Sequence, residues 1–431
     1  RIGQARPGSS NADERRGASF MRRVTVIGAG VIGMCVASYL QRMGASVTVL
    51  DPIEPGKNCS FGNAGSVSRR ACVPLASPGM LKDVPKWLTD PMAPLAVRWS
   101  YLPWAMPWLW RFIRAGRRSE VERSAAALSA LLDPVFENYE PLLKEAKAED
   151  LIRKDGQLYV YESEAAYQAD SSGWELRRRH GARIEVMSRE ELREFEPALA
   201  PSFAKGVLLP EHGHCIDPFG LVRALADAFR RKGGSIVAER VLNIEMDGDK
   251  PRALVTAIGR HNVETVVVAA GAWSHQLARL FGHRVPLETQ RGYHATLSSP
   301  NITPRSTVMW AEKKFMATPM QMGLRFAGTV ELAGLDAPPN YERATKLLEL
   351  GKRMFPGLQG SDVSRWMGHR PCLPDSVPVI GPSLKVKNVY FAFGHGHLGL
   401  TAASTTGRLV AEMVMGAKPC IDPAPYRIDR F

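Results

Sequence analysis

Across 431 residues the chain is 45% hydrophobic and carries a formal net charge of +13, enough apolar content for a large core and, at this length, for two domains rather than one. No run reaches the roughly 18 uninterrupted apolar residues that a membrane-spanning helix needs. The six cysteines, at 35, 59, 72, 215, 372 and 420, show no paired spacing, which argues against a zinc site or a disulfide framework and fits a reducing cytoplasm.

Residues 1–20 begin without Met, are rich in Arg, Ser, Gly and Asn, and lack the apolar centre of a secretory signal. They read as a flexible leader, with Met21 as the natural start. Next comes the stretch that organises the rest, residues 24–51. A β-branched run, Val24 to Ile27, ends at Gly28-Ala29-Gly30-Val31-Ile32-Gly33, continues as an apolar helical stretch to Met43, turns at Gly44 and re-enters a strand that closes at Asp51. Such a βαβ unit binds dinucleotides. Gly28 permits the tight turn, Gly30 removes the Cβ that would block a pyrophosphate, and Gly33 lets the helix lie close to the strand. The helix N-terminus faces the phosphates, and Asp51 is placed for a ribose hydroxyl.

After Pro52, the small-residue loop Cys59-Ser-Phe-Gly-Asn-Ala-Gly-Ser66 lets backbone approach a flat ligand closely. Residues 94–118 interleave Trp99, Tyr101, Trp104, Trp108, Trp110 and Phe112 with Arg98, Arg111, Arg114, Arg117 and Arg118. That is the composition of an interfacial membrane segment, and equally of a Trp-rich core strip capped by solvated Arg. A single-stranded nucleic-acid platform would share it, but no fold signal for one accompanies it.

Helical spacing runs from Ser119 to Ala148 and from Glu164 to His180, with a strand at Leu158 to Tyr161. Asp217-Pro218 starts a helix that runs to Lys232, and Ser235 to Ala238 is a strand. Val263 to Ala270 reads as a buried parallel strand ended by Gly271-Ala-Trp-Ser274. Between about 285 and 362, strand-like runs at Tyr293–Leu297, Thr307–Trp310 and Leu324–Val330, with a helix from Tyr341 to Met354, predict a separate antiparallel sheet with a covering helix. The closing stretch, Val389 to Thr401 and then a helix to Met415, repeats the strand, Gly-rich turn and helix N-terminus. Free N–H groups there suit the negative charge that a reduced flavin develops.

Four stretches, Val26–Gly33 with Asp51, Val268–Ser274, Gly368–Gly381 and Phe393–Thr401, together resemble the D-amino-acid oxidase superfamily of FAD enzymes, most closely its bacterial D-amino-acid dehydrogenases. The resemblance covers nearly all of the chain from Met21 onward. It implies an α/β fold: a Rossmann-like FAD-binding domain assembled from 21–90, 205–285 and 363–431, and an inserted α+β substrate domain on an antiparallel sheet from 91–204 and 286–362. It implies oxidative deamination of a D-amino acid to a 2-oxo acid and ammonia, with electrons passed to a quinone or another non-oxygen acceptor. The alternative is a dehydrogenase or oxidase of secondary amines (sarcosine, proline, hydroxyproline or opines), also as one subunit of a larger assembly.

Carried over residue by residue, Gly28, Ala29, Gly30, Val31, Ile32, Gly33, Asp51 and Pro52 would hold the ADP half, with Val241 near the adenine. Ser60, Asn63, Ala64 and Gly65 would lie along the flavin, and Ala270, Gly271, Trp273, Gly394, Gly396, Leu398, Gly399, Leu400 and Thr401 would complete the site. Family members bind the substrate carboxylate with Arg and Tyr above the flavin, which points to Arg291, Tyr293, Arg325 and Arg370. A Pro-Arg anchor of the glycine-oxidase pattern is Pro319-Met320 here. His294, His395 and His397 are candidates for tuning the amine proton. Cys372 lies near where monomeric sarcosine oxidases attach their flavin, but its surroundings follow the dehydrogenase pattern, so non-covalent FAD is expected and no metal. The expected setting is the bacterial cytoplasm, with the Trp and Arg segment touching acidic lipid on the inner membrane's cytoplasmic face.

Overall fold

The computed structural model describes residues 21–78 and 95–431, so the leader and residues 79–94 of the expected domains lie outside the described residues. Strand β1 (Arg23–Ile27), helix α1 (Val31–Arg42) and strand β2 (Ser46–Leu50) form the predicted unit, with β1 and β2 parallel and in register from Arg23 opposite Ser46 to Ile27 opposite Leu50. The glycines are needed where the chain turns. Gly28 has φ +114°, and a Cβ there would lie 2.3 Å from the Ala269 carbonyl oxygen; a Cβ on Gly33 would lie 1.8 Å from the Gly28 oxygen. Nothing larger than hydrogen fits either position.

The first sheet has six strands in the order Ser235–Val237, β2, β1, β3 (Thr265–Val268), Val389–Phe393 and Val379–Pro382, all parallel except the last. The strand expected over Val263 to Ala270 is shorter because Ala269 and Ala270 already turn toward the next helix. One face is covered by α1, by Pro218–Arg231 and by the C-terminal helix, all in one apolar cluster. Asp217 caps Pro218–Arg231 by accepting from the Gly220 N–H at 2.9 Å. A three-stranded antiparallel sheet over residues 241–262 carries no clean alternation and escaped the sequence reading.

The second sheet has nine strands. At one edge β4 (Glu288–Leu297) lies between β5 (Gly323–Leu332) and β6 (Val363–Cys372), antiparallel to both. Helix Glu342–Met354 packs on it through Ala344, Leu347 and Met354. Two segments expected in the FAD-binding domain belong here: β6 hydrogen-bonds to β4 along its whole length, and Lys205–Leu209 pairs with Gln157–Tyr161. Conversely, the helical stretch 119–148, expected with the substrate domain, packs beside α1. It is two helices, Arg118–Leu132 and Val135–Ala146, parted at Asp133-Pro134 because proline cannot continue the hydrogen-bond ladder. The 164–180 helix likewise divides at Asp170, whose carboxylate accepts from the Tyr161 hydroxyl at 3.0 Å.

The aromatic segment becomes helix α2 (Leu102–Ala115), preceded by a short strand, Leu95–Val97, on β5. Its two faces differ, one packed into the core and the other exposed. Ala105, Trp108, Phe112 and Ala115 are buried, and Trp108 Nε1 donates to the Cys372 carbonyl at 3.3 Å. Trp99, Trp104, Met106 and Trp110 are 66, 76, 53 and 61% exposed. No described helix is long and apolar enough to cross a membrane.

Candidate active site

A cavity of about 1530 Å³ runs between the two sheets. At one end it is walled by Gly28, Gly30, Val31, Ile32, Asp51 and Pro52, and by Glu239 to Leu242. Asp51 accepts from the Ala29 N–H at 2.7 Å and from the Ile53 N–H at 3.0 Å. These bonds oppose the burial that raises its carboxyl pKa. Ala29 therefore orients Asp51 rather than lining the cavity. Around Gly30 a Cβ would meet only the Ser60 hydroxyl, at 3.6 Å, so its missing side chain leaves open space before α1. The Ser60 hydroxyl accepts from Val31 N–H at 3.0 Å, and the amides of Ile32 and Gly33 precede the first helical bond, from Met34 N–H to Gly30 C=O.

Midway the wall is made by Ser60, Asn63 and Ala64 from the loop, and by Ala270, Gly271 and Trp273 after β3. Opposite them come Gly396, Leu398, Gly399, Leu400 and Thr401, where a 3₁₀ turn enters helix α3 (Gly399–Met415). Thr401 Oγ1 fastens this turn to the loop, donating to Ser66 C=O at 3.2 Å and accepting from Ser68 N–H at 3.2 Å. Gly33, Gly65 and Gly394 do not line the cavity. Gly65 and Gly394 sit at positive φ, +81° and +86°, against the Cys215 carbonyl and the Leu373 side chain. Val241 lines the same end of the cavity as Asp51, with Glu239 and Arg240, which carried no sequence signal.

At the far end the paired strands β4 and β6 decide which side chains arrive. Gln290 is opposite Arg370, Gly292 opposite Gly368, and His294 opposite Trp366, so these six share one face. The absent side chains of Gly292 and Gly368 make room for two large ones lying flat. A Cβ on Gly292 would sit 2.2 Å from Arg370 Cζ, and one on Gly368 would sit 1.9 Å from Trp366 Cη2. Arg370 lines the cavity, and among the described residues its guanidinium gives one hydrogen bond, Nη1 to Thr329 C=O at 3.0 Å.

The other expected anchors are engaged elsewhere. Strand alternation turns Arg291 to the opposite face of β4, where it is fully buried, pairs with Glu331 at 3.3 Å and donates to the Ala337 and Pro338 carbonyls. Arg325 donates to Thr296 Oγ1 at 3.1 Å and to Asn63 C=O at 2.6 Å, so it pins the loop instead of lining the cavity. Tyr293 contributes to the wall, but its hydroxyl donates to Glu331 and accepts from Asn340 N–H. His294 stacks on Trp366, centroids 5.2 Å apart, and donates through Nδ1 to Gly62 C=O at 3.1 Å.

His395 and His397 do line the cavity. Burial lowers them to pKa values of about 3 and about 4, and the Arg370 charge adds to the effect at His397, so both rings are neutral near pH 7. His395 Nε2 shares a hydrogen bond with Thr406 Oγ1 at 3.0 Å. Sequence reasoning missed Gln290, Gly292 and Trp366. The Gly292/Gly368 pairing emerges only once β4 and β6 are known to be neighbours.

The FAD expected from the sequence fits these residues: an elongated cavity with an acid at one end, open space where Gly30 lacks a Cβ, and two helix starts facing it. Cys372 is not on the wall. It is 2% exposed, and its thiol is pushed up by burial, far from the thiolate that a covalent bond requires. Acid precipitation is expected to leave a colourless pellet and a yellow supernatant; a pellet that keeps its colour would demand a covalent link.

Residues 23–413 match the family described as FAD dependent oxidoreductase. A D-amino-acid oxidase from Bradyrhizobium diazoefficiens is 40% identical over 417 residues, covering 95% of this chain and 99% of that protein. A D-amino acid dehydrogenase from Paramagnetospirillum magneticum is 34% identical over 427 residues, covering 95% and 99%. Among solved structures, glycine oxidase from Geobacillus kaustophilus superposes with a TM-score of 0.74 at 20% identity, covering 95% of this chain and 100% of that one. L-proline dehydrogenase from P. horikoshii does so with 0.74 at 18%, covering 95% and 98%.

Proposed function

The chain belongs to the family of FAD-dependent oxidoreductases that takes in D-amino-acid oxidase, and from that premise we propose that it deaminates D-amino acids oxidatively, giving 2-oxo acids and ammonia. The observation that carries this is the Arg370 guanidinium, held flat over Gly292 at the cavity end with Thr329 as its only hydrogen-bond partner among the described residues. A carboxylate fits that fork in two parallel hydrogen bonds. Relatives named D-amino-acid oxidase and D-amino acid dehydrogenase support the substrate class.

FAD, when bound, supplies the acceptor for the hydride from the substrate Cα and a store for two electrons. Asp51, the Gly28–Gly33 turn and the α3 N-terminus would hold it. Arg370 binds the substrate carboxylate and thereby aims Cα. Trp366, backed by His294, gives the substrate a rigid apolar wall beside the loop at Gly62. Neutral His395 and His397 keep further positive charge away from the amine. The imino acid then hydrolyses in water. Anaerobic titration with paired D- and L-amino acids, proline, hydroxyproline and sarcosine, following flavin absorbance, tests the reading: bleaching by D-forms supports it, whereas bleaching confined to sarcosine, proline or L-forms replaces it.

The electron acceptor proposed is a membrane quinone. Trp104, Met106 and Trp110 project from α2, and the exposed Arg111, Arg114 and Arg117 beside them have no acidic partner among the described residues. Bulky aromatics and unpaired cations on one surface suit the headgroup level of an acidic bilayer. The protein is expected to float with acidic but not neutral vesicles, with a blue shift of Trp fluorescence. Trp104→Ala/Trp110→Ala and Arg111→Glu/Arg114→Glu are each expected to stay at the bottom while reducing a soluble dye normally.

A further inference from the structure

Gln290 sits on β4, 1% exposed, on the cavity wall directly opposite Arg370. Its Oε1 is enclosed, and neither Oε1 nor Nε2 has a hydrogen-bond partner among the described residues. A buried carboxamide without partners costs about 1–3 kcal/mol, and such groups in native proteins are normally satisfied. A half-turn about the terminal torsion, which is broad and roughly two-fold, exchanges oxygen and nitrogen. Either atom can thus face what lies beside Arg370.

Resting on the function proposed above, we propose that Gln290 binds the substrate amine: its carboxamide oxygen takes an N–H of the neutral α-amino group while Arg370 holds the carboxylate. The chemistry asks for such a group. As the Cα–H bond breaks, its electron pair leaves as hydride to the flavin, and the nitrogen lone pair closes the C=N bond, so the nitrogen must arrive unprotonated. A carboxylate at position 290 would hold the ammonium form; a carboxamide accepts the N–H without stabilising that charge.

The surroundings agree. Around this pair stand Arg370, His369 and Cys372 from β6, His397 from the turn before α3, Cys59 from the loop and Glu288 from β4. Burial lowers His369 and His397 to about 4, and raises both thiols and the Glu288 carboxyl. Near pH 7 the imidazoles and thiols are therefore neutral. Glu288 is turned to the Tyr101 hydroxyl at 3.1 Å and does not line the cavity. The Arg370 charge itself favours the neutral amine.

The test uses FAD-loaded enzyme and the amino acid that bleaches the wild-type flavin fastest, with propionate, a carboxylate lacking an amine, as competitor. Gln290→Leu is expected to lower kcat/KM about thirtyfold while the propionate inhibition constant stays within twofold. Gln290→Glu is expected to move the acid limb of the kcat/KM profile about one pH unit upward, since an added negative charge raises the amine pKa. Equal weakening of propionate and amino acid in the leucine variant would show a structural role and overturn the assignment. Should that variant lose FAD, an unmoved limb in Gln290→Glu overturns it instead. A wild-type flavin that no amino acid bleaches sinks the proposed function and this assignment with it.

Discussion

Replacing Arg370 by leucine is expected to lower kcat/KM by about a thousandfold, mostly through KM, with FAD content unchanged. The magnitude follows from position. Removing one partner from a buried, doubly hydrogen-bonded charge pair costs about 3–5 kcal/mol, and each 1.36 kcal/mol is about tenfold. Arg370→Lys is expected to recover only part of this, because an ammonium keeps the charge and loses the planar fork. Gly292→Ala supplies the geometric control: its Cβ, 2.2 Å from Arg370 Cζ, must push the guanidinium aside. It is expected to cost at least a hundredfold with Arg370 still present, and the double variant to be no worse than Arg370→Leu alone. Steady-state kinetics on the four proteins decide it; additive losses would mean that the carboxylate is held elsewhere.

That expectation rests on a distinction the linear sequence does not display. Arg291, Arg325 and Arg370 all lie on strands of one sheet, and composition gives no ground for choosing. Alternation along β4 separates them: with Gly292 facing the cavity, Arg291 faces Glu331. Arg325 is diverted by a loop 262 residues away in sequence, to Asn63. The dinucleotide unit was legible because its signals are local. The Gly28 turn, the Gly33 contact and the Asp51 bond to Ala29 all fall within one βαβ segment. The repeat of strand, turn and helix at Val389 to Met415 was legible for the same reason.

Boundaries were harder. β6 begins where a new segment of the FAD-binding domain was expected, yet its pairing with β4 puts it in the other sheet. Pairing across 65 or more intervening residues leaves no periodic trace. α2 was ambiguous in sequence because it is truly two-sided, Trp108 and Phe112 inward, Trp104 and Trp110 outward.

Gly33→Val is expected to abolish the holoenzyme altogether, and comparison with Gly30→Ala separates fold from cofactor at one turn. At Gly33 the added Cβ would stand 1.8 Å from a backbone oxygen, with the Ala269 side chain behind it at 3.6 Å. Neither can yield without moving α1 off β1, and α1 is also clamped by α3, where a Cβ on Gly407 would lie 2.7 Å from Cys35 backbone. Overpacking of this kind costs upward of about 3 kcal/mol, a large fraction of the stability of an ordinary domain. At Gly30 the backbone is extended with φ −71°, which alanine adopts freely, and its Cβ meets only Ser60 Oγ at 3.6 Å. That methyl group occupies the space through which a pyrophosphate reaches the α1 amides. Gly30→Ala is therefore expected to melt, as apoprotein, within about two degrees of wild type, yet to bind FAD at least tenfold more weakly. Gly33→Val should show no cooperative melt and no bound flavin. Thermal unfolding of the apoproteins and fluorescence titration with FAD read the two effects separately, and a Gly30→Ala protein that keeps full FAD affinity would place the pyrophosphate away from this turn.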